Sequence, residues 1–289
     1  MKKIIPTIYK FILCLILFEY LIQTNSAYAF FPKINEPTQK ELESTSIQIG
    51  RTAIQLIQFG QANEAIKLLE LAIKLNPKEA SLWITLAEAQ VRSEKKDEAL
   101  LSLSEAIQLN PKEESIYFSK ASILIDLNEP QKAKDCIKKG LSINKNSERG
   151  YFQLGNTEIM LNNYEQALIE FKKSSKINSN FWQSINNEGL VLYELNNPKE
   201  AISKFKSAIA ISNDAEPKLA LAVVLFSSNT KFIEAINLAK NALKSNPKYI
   251  WEDYQSKQLW GTKLKKSAQL LFKTKEMKKV VREAKEKSE

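Results

Sequence analysis

Apolar residues recur along this chain at helical spacing, in stretches of about a dozen residues that come in pairs. A break separates the two stretches of a pair. Gly60, Asn128, Asn162 and Asn196 stand at that break, and these residue types tolerate the left-handed backbone that ends a helix. The pairs themselves repeat: Ala65, Ala99, Ala133, Ala167, Ala201 and Ala235 follow one another at intervals of 34 residues. Twelve residues before each alanine come Ala53, Ala87, Ala121, Gly155, Gly189 and Val223; seven after come Ala72, Ala106, Gly140, Ser174, Ala208 and Ala242. Small residues at fixed heights let two antiparallel helices approach closely. Larger neighbours, such as Leu86 with Leu103 or Leu154 with Phe171, fill the space between them. Pro77, Pro111 and Pro247, each preceded by Asn, stop the second helix and redirect the chain. One such hairpin cannot bury its apolar face alone, so consecutive hairpins must stack.

These positions resemble the tetratricopeptide repeat (TPR) family. Residues 80–113 carry Trp83, Leu86, Ala87, Ala99, Ala106 and Pro111 on the family pattern; 148–181 carry Tyr151, Leu154, Gly155, Ala167 and Phe171; 182–215 carry Gly189, Ala201, Phe205 and Ala208. The resemblance implies an all-α, right-handed solenoid of six hairpin repeats, at 46–79, 80–113, 114–147, 148–181, 182–215 and 216–249. The first and sixth units are looser, with Gly50 inside a helix and Val223 at a small-residue site. Packing between helices is assigned to Ala65, Ala87, Ala99, Ala121, Ala133, Gly155, Ala167, Gly189, Ala201 and Ala235.

Both ends of the array differ from its middle. Thr38-Gln39-Lys40-Glu41 has the spacing of a capping box and predicts an early start to the first helix. Residues 30–45 read as a tether leading into that helix. After Pro247 the grid fails, and Trp260, Leu264, Ala268 and Leu271 recur at helical spacing, as a capping helix over the open face of repeat six would require. Residues 250–289 are therefore read as capping helix and basic tail. Trp251 to Leu264 also resembles the closing segment of some cyanobacterial TPR proteins, which implies periplasm or thylakoid lumen and upkeep of membrane complexes.

The first 29 residues read as an address. Lys2, Lys3 and Lys10 make a basic start, Phe11 to Phe18 is an unbroken apolar run, and Ala27-Tyr28-Ala29 is a small-x-small cleavage site. The run ends at Glu19, short of the roughly 20 residues of a membrane span. Cleavage after Ala29 yields an exported chain; the alternative is an uncleaved, membrane-associated anchor. Cleavage removes Cys14 and leaves Cys136 alone, so no intrachain disulfide forms. Cys136 is then a small core hydrophobe or, in the sharper reading, a redox thiol.

Charge is unevenly spread. Residues 30–254 hold 28 basic and 28 acidic residues, whereas 255–289 hold 11 basic and 4 acidic ones, a difference of +7. The tail, with Lys265, Lys266, Lys278, Lys279 and Arg282, is either a solvated helix or a contact for anionic lipid or acidic partners. Nucleic acid is not the expected partner, since the tail has only Phe272 to interleave with its cations. Catalysis is disfavoured too. The chain has no histidine and 7 glycines, no phosphate-cradling glycine string, and carboxylates such as Glu88 and Glu194 that form no acid–base group. No cofactor, metal or small-molecule substrate is expected.

In the TPR family the first helix of each hairpin lines a concave groove. Carried onto this chain, the inward positions are Ile84, Phe118, Phe152 and Asn186; then Glu88, Ser122, Asn156 and Leu190; then Val91, Ile125, Ile159 and Tyr193. Phe118, Phe152, Ile159 and Tyr193 are expected to form one apolar stripe that receives an apolar or amphipathic segment; the alternative is that several of these residues pack between helices. The carboxylate clamp of some TPR co-chaperones is not repeated. Asn156 and Asn187 fall on two of its amide positions, but Phe152 takes the place of a lysine, and Pro217 and Leu221 stand where basic residues are needed. The expected function is an exported, noncatalytic protein–protein scaffold or assembly factor. The alternative is a membrane-anchored adaptor whose basic tail touches lipid or acidic partners.

Overall fold

The computed structural model describes residues 36–229 and 231–288. The expected signal peptide, 1–29, and the first part of the tether lie outside the described residues. Internal contacts divide the chain after Glu41. Within the first unit, Thr38 and Glu41 form the expected capping box: the Thr38 amide donates to the Glu41 carboxylate at 2.8 Å, and the Glu41 amide donates to Thr38 Oγ1 at 3.3 Å.

Residues 42–289 form the second unit. Its helices come in consecutive hairpins: α1 (Gln39–Gln58) with α2 (Ala62–Leu75), α3 (Ala80–Arg92) with α4 (Lys96–Leu109), and α5 (Glu114–Asp126) with α6 (Pro130–Ile143). Then come α7 (Glu148–Met160) with α8 (Tyr164–Ile177), α9 (Trp182–Glu194) with α10 (Pro198–Ile211), and α11 (Ala215–Ser227) with α12 (Phe232–Ser245). A 3-10 turn at Pro247–Ile250 leads to α13 (Glu252–Lys257), α14 (Thr262–Phe272) and α15 (Lys278–Ser288). Among the described residues no helix is long and apolar enough to cross a membrane. The fold is the expected TPR solenoid. Each second helix packs on the first helix of the next hairpin, and successive first helices lie side by side, as α5 and α7 or α9 and α11 do.

The 34-residue grid works as its chemistry requires. All six alanines from Ala65 to Ala235 have 0% exposure. Gly155 and Gly189 show why the sites must be small: a Cβ on them would lie 2.5 Å from Phe171 Cε1 and 2.6 Å from Phe205 Cε1. Gly50, which looked irregular, has the same role, since a Cβ there would sit 2.7 Å from Leu82 Cδ2. The breaks take the left-handed backbone at Gly60 (φ +77°), Asn128, Asn162 and Asn196. Glu94 occupies the same break in repeat two at φ 59°, without the chemistry that signals it.

The C-terminal segment departs from expectation. Trp260, Leu264, Ala268 and Leu271 are buried, the last three at 0% exposure. The helix that carries the last three, however, packs on α9 and α11, the first helices of repeats five and six. The open end of the stack, α12, is covered instead by the 3-10 turn and α15. The segment is a strap laid across the inner face.

Candidate functional site

On repeats two to four the inner face is open. Ile84, Phe118, Ile125, Phe152 and Asn156 are half-buried there, on α3, α5 and α7. A recess of about 320 Å³ beside α3 and α5 is lined by Ile84, Val91, Leu103 and Ser122. Ser122 also borders the next recess, about 570 Å³, with Phe118, Arg149, Phe152 and Phe181. Phe152 borders a third, about 400 Å³, with Asn156, Trp182, Asn187, Tyr254 and Leu259. The shared linings make one trough, apolar from Ile84 to Phe181 and amide-lined beyond. Its aromatic centre is pre-packed: the Phe152 ring lies 5.0 Å from Phe181 and 5.8 Å from Phe171. Tyr254, Lys257, Gln258 and Leu259 wall off the far end.

Beyond that wall the strap fills repeats five and six. Two carboxylates hold it. Glu194, at the end of α9, accepts hydrogen bonds from the backbone amides of Lys263 (3.1 Å) and Leu264 (2.9 Å), capping α14 from another helix. Gly261 lies so close to the Glu194 carboxyl group that no Cβ fits there. Glu216, in the first turn of α11, accepts from Trp260 Nε1 at 3.0 Å, and Asn186 and Tyr249 also bond its carboxyl group. Lys263 Nζ lies 4.3 Å above the Tyr193 ring and donates to the Tyr193 carbonyl at 2.9 Å. The Tyr193 hydroxyl pairs with Ser267 at 2.9 Å and Ser227 at 2.8 Å.

Burial pushes the Glu216 carboxyl up to about 7; the hydrogen bonds from Trp260, Asn186 and Tyr249 oppose the shift and the Asp214 charge adds to it. Burial, with the Glu216 charge beside it, raises Tyr249 as well and keeps its hydroxyl protonated. Cys136 is half-buried against Ala121, Leu124 and Leu141, and desolvation pushes its thiol up. A thiol held protonated packs as a hydrophobe and is a poor nucleophile.

The expected inner-face residues thus fall into two groups. Ile84, Phe118, Phe152 and Asn156 line or border the open trough, whereas Ile125 packs against the cluster of Ala121, Leu124 and Leu154. Asn186, Leu190 and Tyr193 do not: their exposures are 0%, 2% and 3%. Asn186 Nδ2 donates to Asn187 Oδ1 at 3.3 Å, and Leu190 joins the cluster that contains Trp260 and Leu264. Ile159 is buried with Phe171 and Val191, against Leu259 of the strap turn. Phe118, Phe152, Ile159 and Tyr193 therefore form no continuous open stripe, because the strap interrupts it. The two clamp-position amides bind each other, Asn187 Nδ2 to Asn156 Oδ1 at 3.0 Å. Reasoning from sequence missed Phe181, Trp182, Arg149 and the latch carboxylates Glu194 and Glu216. The aromatic pair at 181–182 straddles the start of α9 and was open to inspection; the latch contacts, across 44 to 70 residues, were not.

Tetratricopeptide repeat family models match residues 56–114, 114–147 and 148–181, so this part of the chain carries TPR repeats. No curated protein matches the chain. Among solved structures it is similar to pilF of Pseudomonas aeruginosa, with a TM-score of 0.62 and 16% identity over 76% of this chain and 99% of that one. MamA (residues 41 to end) of Desulfovibrio magneticus RS-1 aligns with a TM-score of 0.55 and 13% identity, over 60% of this chain and 97% of its own. YrrB, described as a TPR protein with an unusual peptide-binding site, aligns at 0.52 and 18% identity, over 67% and 98%. At these identities the likeness is one of fold.

Proposed function

We propose that this protein is a noncatalytic scaffold or assembly factor that holds a partner's apolar or amphipathic segment in the trough of repeats two to four. The carrying observation is that trough: half-buried Phe118 and Phe152 in a continuous recess that no element among the described residues covers. Partly exposed aromatics in a preformed groove dominate protein interfaces, at roughly 2 kcal/mol or more each. YrrB, of like fold, is described as binding peptide, which agrees with this reading. The test is capture of the native partner by the full-length protein. Phe118→Ala with Phe152→Ala abolishes capture and leaves helical content intact; undiminished capture by that pair overturns the reading.

Export to periplasm or thylakoid lumen belongs to the same proposal and rests on the sequence of residues 1–29. N-terminal sequencing of the mature protein starts at Phe30 if it holds, and at Met1 or Lys2 if the segment is an anchor. A second contact is favoured by α15, whose Lys278, Lys279, Arg282, Lys285 and Lys287 are all exposed. This helix meets anionic lipid or an acidic partner, and such binding weakens with salt. Replacing the five cations by Gln removes low-salt binding to anionic vesicles if lipid is the surface touched.

A further inference from the structure

The strap belongs to none of the six hairpins of the solenoid. The hairpins α9–α10 and α11–α12 are complete pairs, and among the described residues no such element covers the equivalent inner face of α3 and α5. Yet the face under the strap is chemically different. At the 34-residue position where the open repeats carry Glu88, Ser122 and Asn156, repeats five and six carry Leu190 and Val224, at 2% and 0% exposure. An apolar inner face of this kind marks an interaction site. Its occupant is held as a ligand helix is held: its first amides are capped by a carboxylate from the receptor side, and an indole is pinned by a second carboxylate. Its apolar side chains Leu264, Ala268 and Leu271 lie on the face turned to the repeats.

We propose that the inner face of repeats five and six is a helix-binding site in its own right. The chain's residues 260–272 are its resident ligand, and a partner helix of the same chemistry replaces them. The contacts define that chemistry. The partner helix opens with Trp-Gly, where glycine is required because Glu194 fills the space of a Cβ. It then places apolar residues three, seven and ten positions after the glycine, as Leu264, Ala268 and Leu271 follow Gly261. The strap is joined on both sides to elements packed on α12, the 3-10 turn before it and α15 after it. It therefore stays tethered when displaced, and a tethered competitor sets a high threshold for the incoming helix. Glu194 and Trp260 do not line the open trough, so this proposal and the trough reading fail independently.

The probe is a fluorescent peptide of residues 258–273, added to the full-length protein and followed by anisotropy. Wild type resists it because the resident strap holds the site. In the full-length Trp260→Ala, Leu264→Ala protein the strap is weakened, and the peptide binds about tenfold or more tightly than to wild type, in proportion to the fraction of open sites. Adding Glu194→Ala to that background removes the gain, as does a probe in which Trp260 is Ala. Equal binding to wild type and to the weakened protein, or indifference to Glu194→Ala, overturns the proposal. If the double variant does not fold, native-state hydrogen exchange on wild type decides. Amides 265–272 exchanging through openings that leave α11 protected support a detachable ligand; exchange only together with α11 makes the strap a fixed part of the fold and overturns it.

Discussion

On α3, α5 and α7 the inner residues Ile84, Phe118 and Phe152 are half-buried and face an open trough, whereas on α9 and α11 Leu190, Leu221 and Val224 lie at 3% exposure or less beneath α14. The two halves share one grid, with the same alanines at 0% exposure and the same hairpin pairing. Stacking and recognition are therefore written at separate phases of the repeat. The small-residue phase is constant and builds the solenoid. One inner position varies, with Glu88, Ser122 and Asn156 in the open half and Leu190 and Val224 in the covered one, and that difference goes with whether the groove stays open or takes in the chain's own end.

The largest expected effect tests that division by stability. Leu264→Ala, which empties a site at 0% exposure, costs about 2–5 kcal/mol, while Ile84→Ala in the open half costs about 1 or less. Urea unfolding measures both, and equal losses erase the distinction. The second effect is a pH slope confined to the covered half. Glu216 binds its proton more tightly in the folded state, at about 7 against 4.5 unfolded, so its contribution is complete below pH 4.5 and is lost as pH rises through 7. Wild type loses roughly 3 kcal/mol across that window relative to Glu216→Gln, whose stability has no such component. Parallel pH profiles for the two proteins show that the carboxyl group is not buried as described.

Two smaller effects sharpen the comparison. Glu194→Ala uncaps α14 and costs about 1 kcal/mol, read as faster exchange of the Lys263 and Leu264 amides with no change in repeats two to four. Phe152→Ala, on the open side, costs about 1 kcal/mol in melting but most of the partner capture. A Phe152→Ala protein that loses helical content instead is using that ring to hold the fold.

The solenoid itself was legible in the sequence, because helix contact needs small residues at fixed heights and the 34-residue spacing displays them. The capping box at Thr38 and the left-handed turns at Asn128, Asn162 and Asn196 were legible for the same reason: each is local chemistry. Trp260, Leu264, Ala268 and Leu271 were recognisable as a buried helical stripe, but not the surface that buries them. The placement of that stripe depends on Glu194 and Glu216, which look in sequence like ordinary solvated acids at helix ends. A switch at the inner phase, from Glu88, Ser122 and Asn156 to Leu190 and Val224, was present all along. Read as a property of the groove rather than of each residue, it marks where the cover lies.

The strap also alters the order in which the molecule is completed. Contacts in a helical-hairpin array join neighbours in sequence, so each repeat closes as soon as its own residues exist. The bonds from Glu194 to the amides of Lys263 and Leu264 span 69 and 70 residues, and their formation waits for nearly the whole chain. A chain emerging from its N-terminus first builds repeats two to four as a finished platform and carries repeats five and six with an apolar face uncovered until residues 260–272 arrive. The apolar face of repeats five and six is covered only when residues 260–272 arrive.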